Sequence, residues 1–487
     1  MSGTYGKLVV RCTAGALPFA LAAVAWAAEP AVTPARDGVV ETFSEVSEVG
    51  YTPEQFFAIQ QGMFDMLSAD LPDATFDSTV RIEFSDEELA QLEITPVGEV
   101  APLRVGLVKS LGAGISLSDP STTRASKNSR GKGTGTAQET ADGLYVWAQA
   151  VSADGAGGLR IHLENVNLTN GAELYFFSPE GETYGPYTAM GPSGDGEFWT
   201  ESVFSETGIV MLKAQTRADL RGSSFTMTEV GYISRAFVES TITAASFCGN
   251  VACIVDASCY AAANNIRDAI AKMEWIAGPY IYTCSGGLLT DSNATLNNFF
   301  LTANHCFSKT ATAKNVSFYW RFRTSSCNGA CPSNSGWPYK TTGSTVRSTN
   351  RRGDYTLVTL NTNPPAGSVF LGWTSAAVAN TNGVALKRVS NPQFGPQVYS
   401  EQNVDTSKPT CTGWPRGERI YSQDTLGATD GGSSGSPVVR QDTSQVVGQL
   451  SGACGYNPGD PCDAANNATV DGAFAYYWAS VQPYLAP

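Results

Sequence analysis

The chain has 487 residues, of which 42% are hydrophobic and 16% charged, enough for two or three folded domains and inconsistent with a disordered or fibrous class. Its net charge of −14 sits in one half: residues 242–487 hold 16 Lys+Arg against 14 Asp+Glu, leaving 15 against 31 for residues 1–241. No basic tract offers a nucleic-acid surface, and the acidic half reads either as solubilising charge or as a docking complement to the other half.

Lys7 and Arg11 precede an apolar run from Ala14 to Val24 and then Ala25-Trp26-Ala27, the pattern of a secretory signal over residues 1–27. The run is too short to span a bilayer and nothing of spanning length follows, so a protein secreted to the extracellular space or periplasm is expected, with no membrane partner. Residues 28–135 read as an acidic segment, loose from Ala28 to Gly50. Thr52 then caps a helix, with Pro53 at its first position and Gln55 closing a capping box. Phe56, Ile59, Met63, Phe64 and Leu67 give that helix one apolar face, to about Leu67. Ser121 to Gly135, polar, basic and glycine-containing, reads as a linker.

Residues 136–241 read as a β-rich domain. The β-prone runs Leu144–Trp147, Gly158–Leu163, Glu173–Phe177 and Gly208–Leu212 are separated by turn dipeptides such as Asp154-Gly155 and Asn170-Gly171, predicting a small antiparallel β-sandwich over about Ala141 to Arg235. His162 lies inside one of these strands and reads as structural. Between Arg235 and Cys248 charge nearly vanishes and the cysteines begin, which sets off a second unit, residues 242–487. There short strands alternate with Gly, Pro, Asn and Ser turns and the only long helix runs from Ala475 to Tyr484, so the fold class is all-β, of barrel architecture.

Cys12 lies in the signal, and the other ten of the 11 cysteines fall between Cys248 and Cys462. An even number in an exported region implies a disulfide framework. Cys327 to Cys331 and the group Cys248, Cys253 and Cys259 lack the paired CxxC spacing of a zinc site, so no metal or cofactor is expected.

Three segments carry chemistry. His305, the only histidine of the second half, ends the apolar strand Phe300-Leu301-Thr302-Ala303 and is followed by Cys306, which can tether it. Asp354 stands at the entry to the alternating strand Tyr355–Leu360, where it can be buried to orient an imidazole. Gly431-Gly432-Ser433-Ser434-Gly435-Ser436-Pro437 bends sharply and leaves little bulk around one hydroxyl, which a serine nucleophile needs. The same glycines fit the G-x-S-x-G elbow with Ser433 as nucleophile, but that fold needs a histidine after the serine and none follows His305.

Thr302-Ala303-Asn304-His305-Cys306, Asp354-Tyr355-Thr356-Leu357 and Gly432-Ser433-Ser434-Gly435-Ser436-Pro437, with Val447–Gly452 after them, resemble the trypsin-like (chymotrypsin-fold) serine endopeptidases, and especially the secreted bacterial lysyl endopeptidases. The resemblance covers the second half and implies a chymotrypsin-like double β-barrel with a C-terminal helix. It implies Ser434 as nucleophile, His305 as general base and Asp354 as the residue orienting it, with an oxyanion hole from the N–H groups of Gly432 and Ser434 and support for Asp354 from Ser451. It also implies that Cys284 pairs with Cys306, and it makes pairing of Cys248 with Cys454 or Cys462 plausible. Protein or peptide substrates follow, together with a prosegment acting as intramolecular chaperone and inhibitor, in a monomer. The competing class is a catalytically inactive secreted binding or adhesion protein of the same fold, against which the retained triad and Gly432 argue.

Departures from the family pattern are informative. Vertebrate trypsins pair an aspartate just before the nucleophile with a newly cleaved N-terminus, and Ser433 stands there. The trypsin pocket acid lies six residues before the nucleophile, where this chain has Ala428. The lysyl branch takes its acid from the strand near the C-terminus, where alignment by Gly472 and Trp478 puts Thr469, with Asp463 and Asp471 as nearby acids.

Overall fold

A computed structural model describes residues 38–92, 101–117, 135–238, 247–333 and 338–487. The signal at 1–27, most of the Ser121–Gly135 linker and the boundary expected near 241 lie outside the described residues. No helix among the described residues is long and apolar enough to cross a membrane.

The first helix is Pro53–Asp70, and its start has the expected chemistry: Thr52 Oγ1 accepts from Gln55 N–H at 3.2 Å while Gln55 Oε1 accepts from Thr52 N–H at 2.9 Å. Its apolar face is divided between two partners. Met63, Phe64 and Leu67 pack against Val146, Tyr175 and Met211 of the sandwich, Phe56 stacks on Tyr339 with ring centroids 4.4 Å apart, and Ile59 is left 40% exposed.

The sandwich is larger than the sequence suggests. One sheet runs Val80–Ile82, Tyr145–Ala153, Thr207–Ala214, Ala172–Phe177, Thr183–Tyr187, with Thr136–Glu139 on Tyr145–Ala153; the facing sheet contains Leu103–Ser116, Ser224–Ser234, Ala156–Asn167 and Phe198–Trp199. Trp147, Leu159, Ile161, Phe176, Val210 and Met227 fill the space between them. Leu103–Ser116 hides from sequence reading because Gly106, Gly112 and Gly114 interrupt its alternation. Gly106 is needed there: a Cβ would lie 2.2 Å from Tyr232 O on the neighbouring strand.

Leu103–Ser116 also pairs antiparallel with Tyr280–Leu289, in register Leu103↔Thr283 to Leu107↔Tyr280, so one sheet continues from the first half into the second. There Tyr280–Leu289 belongs to a first barrel with Ile270–Ala277, Phe299–Thr302, Ser317–Trp320, Ser344–Asn350 and Tyr355–Leu360, around Met273, Leu288, Phe300, Phe318 and Val358. The second barrel orders Val398–Val404, Ala385–Ser390, Pro437–Arg440, Val446–Gly455, Asn467–Ala473 and Arg419–Leu426, and Val398–Val404 closes it by also pairing with Arg419–Leu426. The helix Phe474–Leu485 returns Phe474, Tyr477 and Val481 to a core shared with Leu357 and Trp373 of the other barrel segments. This is the chymotrypsin-like double β-barrel with its C-terminal helix. Within the segment expected to be loose before Gly50, the described part is tied down, since Glu45–Ser47 pairs with Ser368–Phe370.

Two charged pairs cross between the halves in full burial. Arg160 Nη1 meets Glu274 at 3.2 Å and Lys340 Nζ meets Glu182 at 2.7 Å, while Lys314 reaches Asp195 at 2.6 Å nearer the surface. Two of the three place the acid on the first half, as its net charge allows.

Five disulfides tie the second half: Cys248–Cys331, Cys253–Cys462, Cys259–Cys327, Cys284–Cys306 and Cys411–Cys454. Cys284 pairs with Cys306 as the resemblance implies. Cys248 pairs with neither Cys454 nor Cys462: it packs with Phe247, Ile254 and Val398 beside Cys331, whereas Cys454 is on a barrel strand facing the Cys411 loop. Cys253–Cys462 closes 209 residues of chain, so the paired change Cys253→Ser and Cys462→Ser is expected to cost about 2–5 kcal/mol of stability. Denaturant unfolding under non-reducing conditions checks this, and an unchanged midpoint would refute it.

Candidate active site

His305 leaves the end of Phe299–Thr302, and Cys306 pins its base to Cys284 on the adjacent strand. Asp354 lies in the turn between Ser344–Asn350 and Tyr355–Leu360 at φ 51°, a left-handed conformation that aspartate tolerates better than bulky residues. That conformation turns the carboxylate onto the histidine twice: Oδ1 accepts from His305 N–H at 3.0 Å, and Oδ1 and Oδ2 lie 3.1 and 3.0 Å from Nδ1. A carboxylate at Nδ1 keeps the proton there and leaves the Nε2 lone pair for a substrate-side proton.

The Asp354 backbone is clamped from the second barrel. Gln449 Nε2 donates to Asp354 O at 2.8 Å, Tyr477 of the C-terminal helix donates to Gln449 Oε1 at 2.5 Å, and Asn304 N–H donates to Asp354 O at 3.1 Å. Gly472 makes room for this clamp, because a Cβ there would sit 2.2 Å from Gln449 Nε2. Burial pushes the Asp354 carboxyl up, but the charge and hydrogen bonds of His305 outweigh it and hold the group below its ordinary value. Ser451 adds to that lowering while its hydroxyl stays outside hydrogen-bond geometry.

The glycine turn brings Ser434 to the same place. Ser285, next to Cys284, donates its N–H to Ser434 O at 2.8 Å and its hydroxyl to Gly432 O at 2.9 Å. Gly435, at φ 81°, lets the turn close on the histidine's strand, since a Cβ would lie 2.2 Å from Thr302 Oγ1. Cys306 Sγ is 4.0 Å from His305 Nε2 and 3.7 Å from Ser434 O, so ring and serine flank one disulfide. No hydrogen bond joins Ser434 Oγ to Nε2 among the described residues, and such contacts often tighten only when substrate binds. The N–H groups of Gly432 and Ser434 donate to no acceptor among the described residues.

Ser433 and Ser434 differ sharply. Ser433 is fully buried and its Oγ accepts from Ser390 Oγ at 3.0 Å, whereas Ser434 is half-exposed. The buried hydroxyl pair stands where trypsins place an ion pair with their N-terminus. Cys284, His305 and Cys306 cluster as a metal site would, but disulfide sulfurs are not thiolates and do not ligate.

The pocket candidates separate. Asp463 is in an exposed loop bonded to Asn466, and Asp471 is fully buried against Arg388. Thr469 is 5% exposed and donates to both oxygens of Asp424, at 2.8 and 2.9 Å. Asp424 escaped the sequence reading. The signal available was an acid on the inward face of Arg419–Leu426, two residues after Ser422 and four after the buried Ile420.

Since the folded Asp354 pKa is depressed, its contribution to stability is present above the ordinary carboxylate range and lost as pH falls through the folded value. Asp354→Asn is therefore expected to flatten the acid side of the stability profile below about pH 4, in unfolding series compared with wild type. Parallel profiles would contradict this.

A family model described as lysyl endopeptidase, C-terminal domain, matches residues 249–468. The lysyl endopeptidase of Pseudomonas aeruginosa is 27% identical over 366 residues, 72% of this chain and 77% of that protein, a span that must reach into the first half. Similar solved structures include an HtrA-type protease, AlgW with tripeptide, at 14% identity and TM-score 0.33 over 46% of this chain and 62% of that one. The Rv3671c protease from M. tuberculosis in its active form is 15% identical, with TM-score 0.32 over 47% of this chain and 86% of that one. The chain is similar to the lysyl endopeptidases, and its residues 249–468 match the C-terminal domain of that family.

Proposed function

We propose that the chain is a secreted preproprotein, with signal 1–27, prosegment 28–135 and prodomain 136–241, whose residues 242–487 act as a monomeric endopeptidase cleaving after lysine or arginine. The observation that carries the catalytic assignment is the double grip of one buried carboxylate on His305, beside a half-exposed serine in a glycine turn.

In this reading Ser434 Oγ attacks the scissile carbonyl while His305 Nε2 takes its proton. Asp354 stabilises the imidazolium that forms and keeps the ring in place. The N–H groups of Gly432 and Ser434 receive the developing oxyanion, each worth roughly 10²–10³ in rate. His305 then protonates the leaving amine, and water, activated by the same nitrogen, releases the acyl group from Ser434. Ser434→Ala should abolish peptide hydrolysis, and Asp354→Asn should lower kcat by about 10⁴-fold with little change in KM, because the wrong tautomer then faces the serine. Steady-state kinetics of the processed enzyme test this; an Asp354→Asn variant within about tenfold of wild type would sink the assignment.

The first half fits an inhibitor and folding partner. Leu103–Leu107 adds a strand to Tyr280–Thr283, one residue short of Cys284 and two short of Ser285, which holds the nucleophile turn. Leu103 lies against that turn, its Cδ1 3.4 Å from where a Gly431 Cβ would be. A peptide substrate approaching along this edge meets a strand already in place. The buried pairs Arg160–Glu274 and Lys340–Glu182 join the halves, and losing one partner of such a pair costs about 3–5 kcal/mol. Residues 28–241 carrying Glu182→Gln are accordingly expected to inhibit the processed enzyme at least about 100-fold more weakly than the unaltered segment. Equal inhibition constants would refute the docking reading.

A further inference from the structure

The inward face of the second barrel changes character along its length. Leu386, Val404, Ile420, Val438 and Ala473 form an apolar plug at one end. Two residues further along the same faces, Leu386 gives way to Arg388, Val404 to Gln402, Ile420 to Ser422 and Ala473 to Asp471. This polar end lies directly behind the nucleophile turn, since Ser390, next on the face after Arg388, holds Ser433.

Several buried atoms there have no hydrogen-bond partner among the described residues: Arg388 Nε and Nη1, Gln402 Nε2, Ser422 Oγ and Asp471 Oδ2. Buried polar atoms are nearly always satisfied, so this concentration marks space for water or for an entering polar group. The charges decide which group. Arg388 and Asp471, both fully buried, face each other and cancel. Asp424 is held only by the Thr469 hydroxyl, and no cation pairs with it among the described residues. Lys408, whose charge acts on Asp424, spends its Nζ on the carbonyls of Ala464, Ala465 and Asn467. Arg388, Asp471 and Asp424 together therefore carry one net negative charge, and Asp424 is the partly exposed member of the three.

We propose that Asp424 is the specificity-determining residue of this peptidase, receiving the ammonium or guanidinium of the residue before the scissile bond, with Thr469 as the hydroxyl that aims its carboxylate. The proposal rests on the serine endopeptidase reading. It also accounts for the threonine at 469: the acid has moved to the adjacent strand, and the hydroxyl left in its place holds it. Burial pushes the Asp424 carboxyl up to about 6; the Thr469 bond and the Arg388 charge oppose that rise, Asp471 adds to it, and Lys408 opposes it. The carboxylate is charged above that value and neutral below it, so attraction for a basic side chain fades as pH falls through about 6.

The test uses processed enzyme and two peptides identical except for lysine or glutamine before the scissile bond. Asp424→Asn is expected to lower kcat/KM for the lysine peptide at least about 100-fold and to leave the glutamine peptide within about threefold. In wild type the lysine-to-glutamine ratio should fall between about pH 7.5 and 5, a ratio from which pH effects on the chemical step, common to both substrates, cancel. Asp424→Asn combined with Thr469→Asp, which returns an acid to the facing strand, should recover most of the preference and exclude simple misfolding. An Asp424→Asn ratio like that of wild type, or a wild-type ratio flat with pH, would overturn the proposal. Wild type cutting both peptides equally would overturn this assignment alone, and wild type cutting neither would overturn the endopeptidase reading with it.

Discussion

The site depends on one buried carboxylate gripping one histidine. Asp354 binds both the main chain and the ring of His305, so the ring is held at two points to the turn that bears the acid. That turn belongs to the first barrel, yet its carbonyl is held by Gln449 of the second, which Tyr477 holds in turn. The C-terminal helix thus reaches the histidine through three contacts. Ser434 is fixed in the reverse sense, on a second-barrel turn whose carbonyls are bound by Ser285 of the first. Each barrel carries part of the site and clamps the part carried by the other, so the geometry exists only at their junction.

The first half exploits the same junction. A strand added beside Ser285 extends the first barrel's sheet, and the ionic groups buried across the contact take their partners from the opposite half. Buried pairs of this kind contribute little net stability over apolar packing but penalise every wrongly docked arrangement of the two halves.

Much of this was legible in the chain. His305, Asp354 and the glycine turn could be found because each requirement leaves a local mark: a histidine after an apolar strand, an acid before one, small residues around a hydroxyl. The capping box at Thr52 was local too. What stayed hidden depends on distant partners. Cys248 has several cysteines it could reach, and only packing beside Val398 selects Cys331. Leu103–Ser116 is a strand because two sheets need it, against its glycines. Asp424 sits in an ordinary strand pattern, and its setting comes from Thr469, 45 residues away.

The most direct measurement of the central claim is the site of covalent capture. Processed enzyme treated with a serine-directed fluorophosphonate, digested and sequenced by mass spectrometry, should carry a single adduct on Ser434, and Ser434→Ala and His305→Ala should carry none. An adduct on Ser433, or labelling of wild type no faster than of the His305→Ala protein, would contradict the account.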